Sequence, residues 1–162
     1  MQAKAAPRAA VNFPTENVGS VPAQPGAGLV RLEIPSVGLS AIVLEGIGPE
    51  ILRIGVGHVP GTSWPAQPGN VVLAGHRDTF FRPLRKISTC AEVLLDTASR
   101  TYRYRVTAFE IVDPHDVNEM TSHGKDELTL ITCYPYYYVG PAPQRFVVHA
   151  ESALAAAKCQ SS

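Results

Sequence analysis

Apolar and polar residues alternate with a period of two along most of this chain. The clearest case is TYRYRVTAFEIV (residues 101–112), with Tyr102, Tyr104, Val106 and Ala108 on one face and Arg103, Arg105 and Thr107 on the other. That is the pattern of a half-buried strand. LVRLEIP (29–35) and LSAIVLEG (39–46) are shorter runs of the same kind, joined through SVG as a hairpin. NVVLAG (70–75) is apolar on both faces and reads as a buried strand. AEVLLDT (91–97), ELTLITC (127–133) and RFVVHA (145–150) complete the set.

Helical signals are few. GPEILRIGVG (48–57) has Pro49 at a first helical position and glycines at its end, which predicts one or two turns. TFFRPLRKI (79–87) spaces Phe80, Leu84 and Ile87 at helical intervals, and Pro83 keeps it short. VPGTSWPAQPGN (59–70) is all turn signals, and residues 113–126 form a polar connection with room for one helical turn. Residues 1–28 are rich in Ala, Pro, Gly and Gln without a hydrophobic period and read as a flexible arm. From Glu151 an Ala-rich tail reads as a frayed helix. The division is an arm over 1–28, one domain over 29–151 and a tail over 152–162. Seven or eight short strands predict a closed barrel or a sandwich.

Composition narrows the function classes. In 162 residues, 45% are hydrophobic and 14 basic residues balance 14 acidic ones, so no basic stripe points to nucleic acid. No apolar run reaches the length of a membrane-spanning helix, and the first residues lack the apolar centre of a signal peptide. The chain reads as a soluble domain. Cys90, Cys133 and Cys159 are an odd, sparse set. They are expected to be free thiols, with a Cys90–Cys133 or Cys90–Cys159 bridge as the alternatives.

The candidate chemistry lies in LITCYPYYYVGPAPQRF (130–146). Cys133 closes one strand and Arg145 opens the next. If the two strands pair antiparallel, the proline-stiffened loop returns Arg145 to the side of Cys133. A nucleophilic cysteine acts as its thiolate and needs a positive neighbour or a base. A guanidinium stays charged and offers five donors for a carbonyl or an oxyanion. His76, where the chain leaves the buried strand, is the expected proton carrier. His58 is its most credible rival, ahead of His149, His115 and His123. The opposing reading for each residue is a small buried cysteine and a structural histidine. A zinc site from Cys133, His76 and another histidine lacks short-range ligand pairs.

Two stretches, NVVLAGHRDTFFRPLRKI (70–87) and LTLITCYPYYYVGPAPQRFVVHA (128–150), resemble the sortase family of cysteine transpeptidases. The likeness extends upstream through LEIPSVGL and GVGHVPGTSWPAQPGN. The TLxTC motif falls on Thr129-Leu130-Ile131-Thr132-Cys133, the GH pair on Gly75-His76, and the arginine opening the last strand on Arg145. The wording is most similar to class D sortases, with class E-like enzymes next.

The resemblance implies a mainly β fold, a closed eight-stranded barrel with one or two short helices. It implies cleavage of an LPxTG-like C-terminal sorting signal after Thr through a Cys133 thioester. The acyl group then passes to an amine acceptor, a cell-wall precursor or a pilin lysine. His76 would be acid then base, Arg145 would hold the substrate and oxyanion, and Thr132 would assist by side chain or backbone. Tyr134, Pro135 and Tyr136 would wall the peptide groove. The partners implied are secreted proteins bearing such signals, with no cofactor and no metal. Asp113, Asp116, Glu119, Asp126 and Glu127 cluster where some class A members bind calcium, but a solvated loop is the reading preferred here. Asp78 is expected to orient Arg77 or to cap the helix that follows it, with the cap preferred. The resemblance places the full-length protein at the extracytoplasmic face of the bacterial membrane, with this chain a soluble form lacking the anchor. The alternatives are a non-catalytic peptide-binding barrel and a thiol hydrolase that passes the acyl group to water.

Overall fold

The computed structural model describes residues 30–65, 67–116, 126–134, 141–153 and 159. The expectation for the arm, and those for residues 117–125 and 154–158, fall outside these residues, whereas Glu151 and Ser152, read as the start of a helical tail, end the last strand. Eight strands close into one barrel: β1 (Val30–Ile34), β2 (Leu39–Glu45), β3 (Val56–His58), β4 (Asn70–Ala74), β5 (Glu92–Asp96), β6 (Thr101–Val112), β7 (Glu127–Tyr134) and β8 (Gln144–Ser152). Around the barrel the order is β1-β2-β3-β4-β7-β8-β6-β5, and β5 closes back on β1. Closure excludes the sandwich and supports the barrel that the family resemblance implied.

Most local expectations map onto elements. The β1–β2 connection is a 3-10 turn over Pro35–Val37, and Gly38 follows it at φ 72°, a left-handed conformation that glycine adopts without a Cβ penalty. Helix α1 (Pro49–Ile54) starts on Pro49 as predicted. The segment around Pro83 tightens to a 3-10 turn over Arg82–Lys86. Phe81 precedes that turn with no side-chain cap, so the expected capping role of Asp78 is not realised.

Two expectations are corrected. β3 is a strand inside a stretch read as a helix end running into turns. It is only three residues long and too short to show a period. It lies so close to Gly46 that a Cβ on Gly57 would fall 2.2 Å from the Gly46 carbonyl oxygen. In β6 the register against β8 shifts between Val106 and Ala108. Tyr104 and Val106 face the core, but beyond the shift Ala108 turns to solvent.

The core is the barrel lumen, filled by Leu32, Leu73, Leu95, Leu128, Leu130 and Val148 among others, all at most 1% exposed. Each fully buried side chain of this size contributes about 2 kcal/mol. β4 is buried on its second face as well, because the 59–69 connection crosses it. Val59 N–H donates to the Val72 carbonyl at 2.9 Å, and Val72 N–H donates to Thr62 Oγ1 at 3.3 Å.

The cysteine expectation is also overturned. Cys90 and Cys159 form a disulfide with Cα atoms 5.4 Å apart, and among the described residues Cys133 alone is a free thiol. Cys90 precedes β5 at φ 70°, donates its N–H to the Val106 carbonyl at 2.7 Å, and its carbonyl accepts from Arg105 at 3.0 Å. Spacing alone carried no signal for this pair, since 69 residues separate the two sulfurs along the chain.

Candidate active site

β7 and β8 pair antiparallel, and Cys133 lies directly opposite Arg145 in that ladder. Cross-strand partners have Cα atoms about 5 Å apart and share one face of the sheet. Both side chains are half-buried. The flanking pair, Thr132 and Phe146, is buried and faces the opposite way, into the lumen. Among the described residues Thr132 Oγ1 has no hydrogen-bond partner. The Arg145 guanidinium donates to the Gln144 carbonyl at 2.9 Å and the Ala142 carbonyl at 3.3 Å, so it is turned toward its own loop backbone.

β4 runs parallel to β7, with Ala74 opposite Ile131. Gly75 N–H continues the ladder, donating to the Ile131 carbonyl at 3.2 Å. His76 lies two residues beyond Ala74, and Cys133 two beyond Ile131. The parallel register therefore carries His76 to the level of Cys133 on the neighbouring strand's exit. His76 is exposed, and its carbonyl accepts the Phe81 N–H at 3.1 Å, which fixes the bend. A Cβ on Gly75 would lie 2.9 Å from the fully buried Phe81 ring. That close approach is the physical reason for glycine immediately before the histidine.

The rival histidines separate clearly. His58 is 1% exposed. Its Nδ1 is 2.9 Å from Glu45 Oε1, its Nε2 2.8 Å from the Ser63 carbonyl, and its ring stacks on Trp64 at 3.9 Å. It ties the 59–69 connection to β2 and β3 and has no face left for a substrate. His149 bonds Glu110 at 2.8 Å between β8 and β6. His115 is exposed beside Asp113, and His123 lies outside the described residues. Tyr134 is half-buried with its ring 6.2 Å from that of Phe146, whereas Pro135 and Tyr136 lie outside the described residues. Among the described residues no group of His, Cys, Asp and Glu is disposed to hold a metal ion, and no helix is long and apolar enough to cross a membrane.

A closed eight-stranded barrel bearing a half-buried free thiol opposite an arginine is the arrangement that the resemblance to cysteine transpeptidases implied. Comparison with known proteins agrees. The sortase domain family model matches residues 32–153. Sortase D of Bacillus subtilis (strain 168) is 35% identical over 135 residues, covering 83% of this chain and 68% of that protein. Sortase A of Bacillus anthracis is 33% identical over 107 residues, covering 64% of this chain and 50% of that protein. The crystal structure of sortase C-1 from Actinomyces oris superposes with a TM-score of 0.70 at 31% identity, covering 76% of this chain and 72% of that one. The chain belongs to the sortase family, whose members are cysteine transpeptidases acting at the extracytoplasmic side of the cell membrane.

Proposed function

We propose that this chain is the catalytic barrel of a class D-like sortase and that Cys133, His76 and Arg145 carry its reaction. The observation that supports this reading best is the direct cross-strand pairing of Cys133 with Arg145. The Cys133 thiolate attacks the threonine carbonyl of an LPxTG-like signal. The carbonyl oxygen takes up negative charge, and the guanidinium stabilises it, exchanging the Gln144 and Ala142 carbonyls for the substrate. His76 protonates the leaving amine as the C–N bond breaks, which leaves a thioester. An incoming primary amine then gives a proton to His76, attacks the thioester and releases the thiolate. The side chain of Thr132 faces the lumen, so its contribution is through its backbone. Tyr134 lines the start of the groove that takes the signal's apolar residues.

The substrates are secreted proteins with such signals, and the acceptor is a cell-wall precursor or a pilin lysine. The barrel over 29–151 is the catalytic unit, held at the extracytoplasmic face of the cell membrane in the full-length protein.

The test is intact mass spectrometry after mixing with LPxTG, LPxTA and LAxTG peptides, with and without an added amine. An adduct equal to the peptide cut after threonine, absent in Cys133→Ala and discharged to a ligated product by amine, is expected. A protein whose Cys133 alkylates readily yet forms no adduct with any of the peptides would contradict the proposed specificity. Discharge to free acid in the presence of saturating amine would make it a hydrolase.

A further inference from the structure

β4 and β7 run parallel, and each β4 residue pairs with the β7 residue 57 positions on, from Asn70↔Glu127 to Ala74↔Ile131. The same offset runs from His76 to Cys133. The reach between imidazole and thiol therefore depends on the register of this one ladder.

Little in the backbone or the apolar pattern selects that register. Parallel backbone hydrogen bonds are evenly spaced and re-form after a shift. Hydrophobic patterning sets register where one face is buried and the other wet. β4 has no such contrast, because Val71, Val72 and Leu73 are buried on both sides of the strand. A one-residue shift would trade valine for valine or leucine on either face, at small cost in apolar burial.

Two polar side chains break this degeneracy. Asn70 and Thr129 are 3% and 2% exposed, and the Thr129 hydroxyl donates to Asn70 Oδ1 at 2.9 Å. By alternation Asn70 shares its face of β4 with Val72 and Ala74, and Thr129 shares its face of β7 with Ile131 and Cys133. The bond thus lies on the face that carries the thiol, at the other end of the ladder. A one-residue shift turns Asn70 away from Thr129 and into the apolar lumen. A two-residue shift that sets Ala74 beside Thr129 moves Asn70 roughly 7 Å out of reach. The opposite shift sets Pro68, which has no N–H to give the ladder, beside Glu127.

We propose that the Asn70–Thr129 hydrogen bond is the register lock of the active site, holding β4 and β7 at the offset that sets His76 level with Cys133. Both residues are buried and act as positioning residues, through the placement of His76. This role rests on the reading that His76 works with Cys133. A lone buried asparagine fixes register in coiled coils in the same way, at some cost in stability.

The test compares Thr129→Val, Asn70→Leu and the double variant in the full chain. Either single change strands one buried polar group, so the melting temperature should fall by about 3 °C or more. The double variant removes both polar groups and should melt above either single one. Its kcat should nevertheless stay about 10- to 100-fold down, with KM for the peptide little changed, since Arg145 and the wall at Tyr134 are untouched. Thr129→Ser, which keeps the hydroxyl, should recover most of the turnover. Register is read independently of catalysis from NOEs between the Gly75 amide and the β7 backbone at Ile131 and Thr132. In the double variant these should weaken or split into two sets. An unaltered NOE pattern in the double variant, or a changed pattern with full kcat, would overturn the proposal. An unaltered protein that acylates with no peptide counts instead against the reading of the site, and the NOEs still decide the lock.

Discussion

Cys133 and Arg145 are cross-strand partners, twelve residues apart in sequence and opposite each other on one rung of the β7–β8 ladder. The hairpin fixes their backbones, so the pair cannot drift apart without unzipping two strands. In the proposed reaction the guanidinium exchanges its own loop carbonyls for the substrate. Arg145→Lys keeps the charge and loses the planar fork. It should lower kcat/KM by about 10²-fold or more, with stability unchanged within about 0.5 kcal/mol. Steady-state transpeptidation and thermal melts on the same preparation check both halves.

Gly75 sets the direction in which His76 leaves the sheet. Gly75→Ala should drive a methyl group into the Phe81 ring and cost about 1–3 kcal/mol. His76→Gln, at an exposed position, should instead leave the melting curve alone and lower turnover about 10²–10⁴-fold. If Gly75→Ala loses activity in proportion to stability only, the glycine serves packing and not the placement of the imidazole.

His58 holds three things at once: the Glu45 carboxylate, the Ser63 carbonyl and the Trp64 ring. His58→Ala takes the imidazole away from the Glu45 carboxylate and the Ser63 carbonyl, both half-buried. A loss of about 2–4 kcal/mol is expected. Trp64 emission should shift to the red as its stacking partner is removed, which reports on the 59–69 connection locally.

The legible part of the fold was the part written in period two. β1, β2, β4, β5 and β7 could be drawn from alternation or apolar runs, and so could the placement of Cys133 and Arg145 on adjoining strands. β3 was not legible, because its pairing rests on Gly57 fitting under Gly46 and a three-residue strand has no period. Ala108 was misassigned because a register shift reverses the faces of β6, and the shift is imposed by the partner strand β8. The roles of His76 and His58 were separable only in part. Both follow apolar segments, and what divides them is burial: His58 is enclosed by the 59–69 connection, whose turn residues give no hint of what they cover.

The disulfide was invisible to pattern, and it is the simplest feature to count. Alkylation of the unfolded chain before reduction should label one thiol, and after reduction three. A bridge closing 69 residues restricts the unfolded chain strongly. Cys90→Ser should therefore cost up to about 4 kcal/mol. Transpeptidation per folded molecule should persist, since neither sulfur lies in the β4–β7–β8 ladder that carries His76, Cys133 and Arg145.

Burial, reinforced by the neighbouring Asp126 carboxylate and by Tyr102, pushes the Tyr104 phenol above the ordinary tyrosine value. An acid whose ionisation is raised in the folded state stabilises the fold while both states are protonated. That contribution falls away once the unfolded chain ionises more readily than the folded one. Stability should thus decline from about pH 10 upward, and the decline should be shallower in Tyr104→Phe. Equilibrium urea unfolding at several alkaline pH values measures the slope directly.

The parallel junction of β4 with β7 has a temporal consequence. The rungs that join Cys133 to Arg145 are local, within the β7–β8 hairpin, but the ladder that brings His76 beside Cys133 joins residues 57 positions apart, from Asn70↔Glu127 to Ala74↔Ile131. Contacts of such high sequence separation close late, because the intervening chain must first give up its freedom. During refolding the thiol and guanidinium should meet on one timescale and the imidazole join them on a slower one. Peptide-cleaving competence is then a clock for the last step of barrel closure, running behind any probe placed on the β7–β8 hairpin.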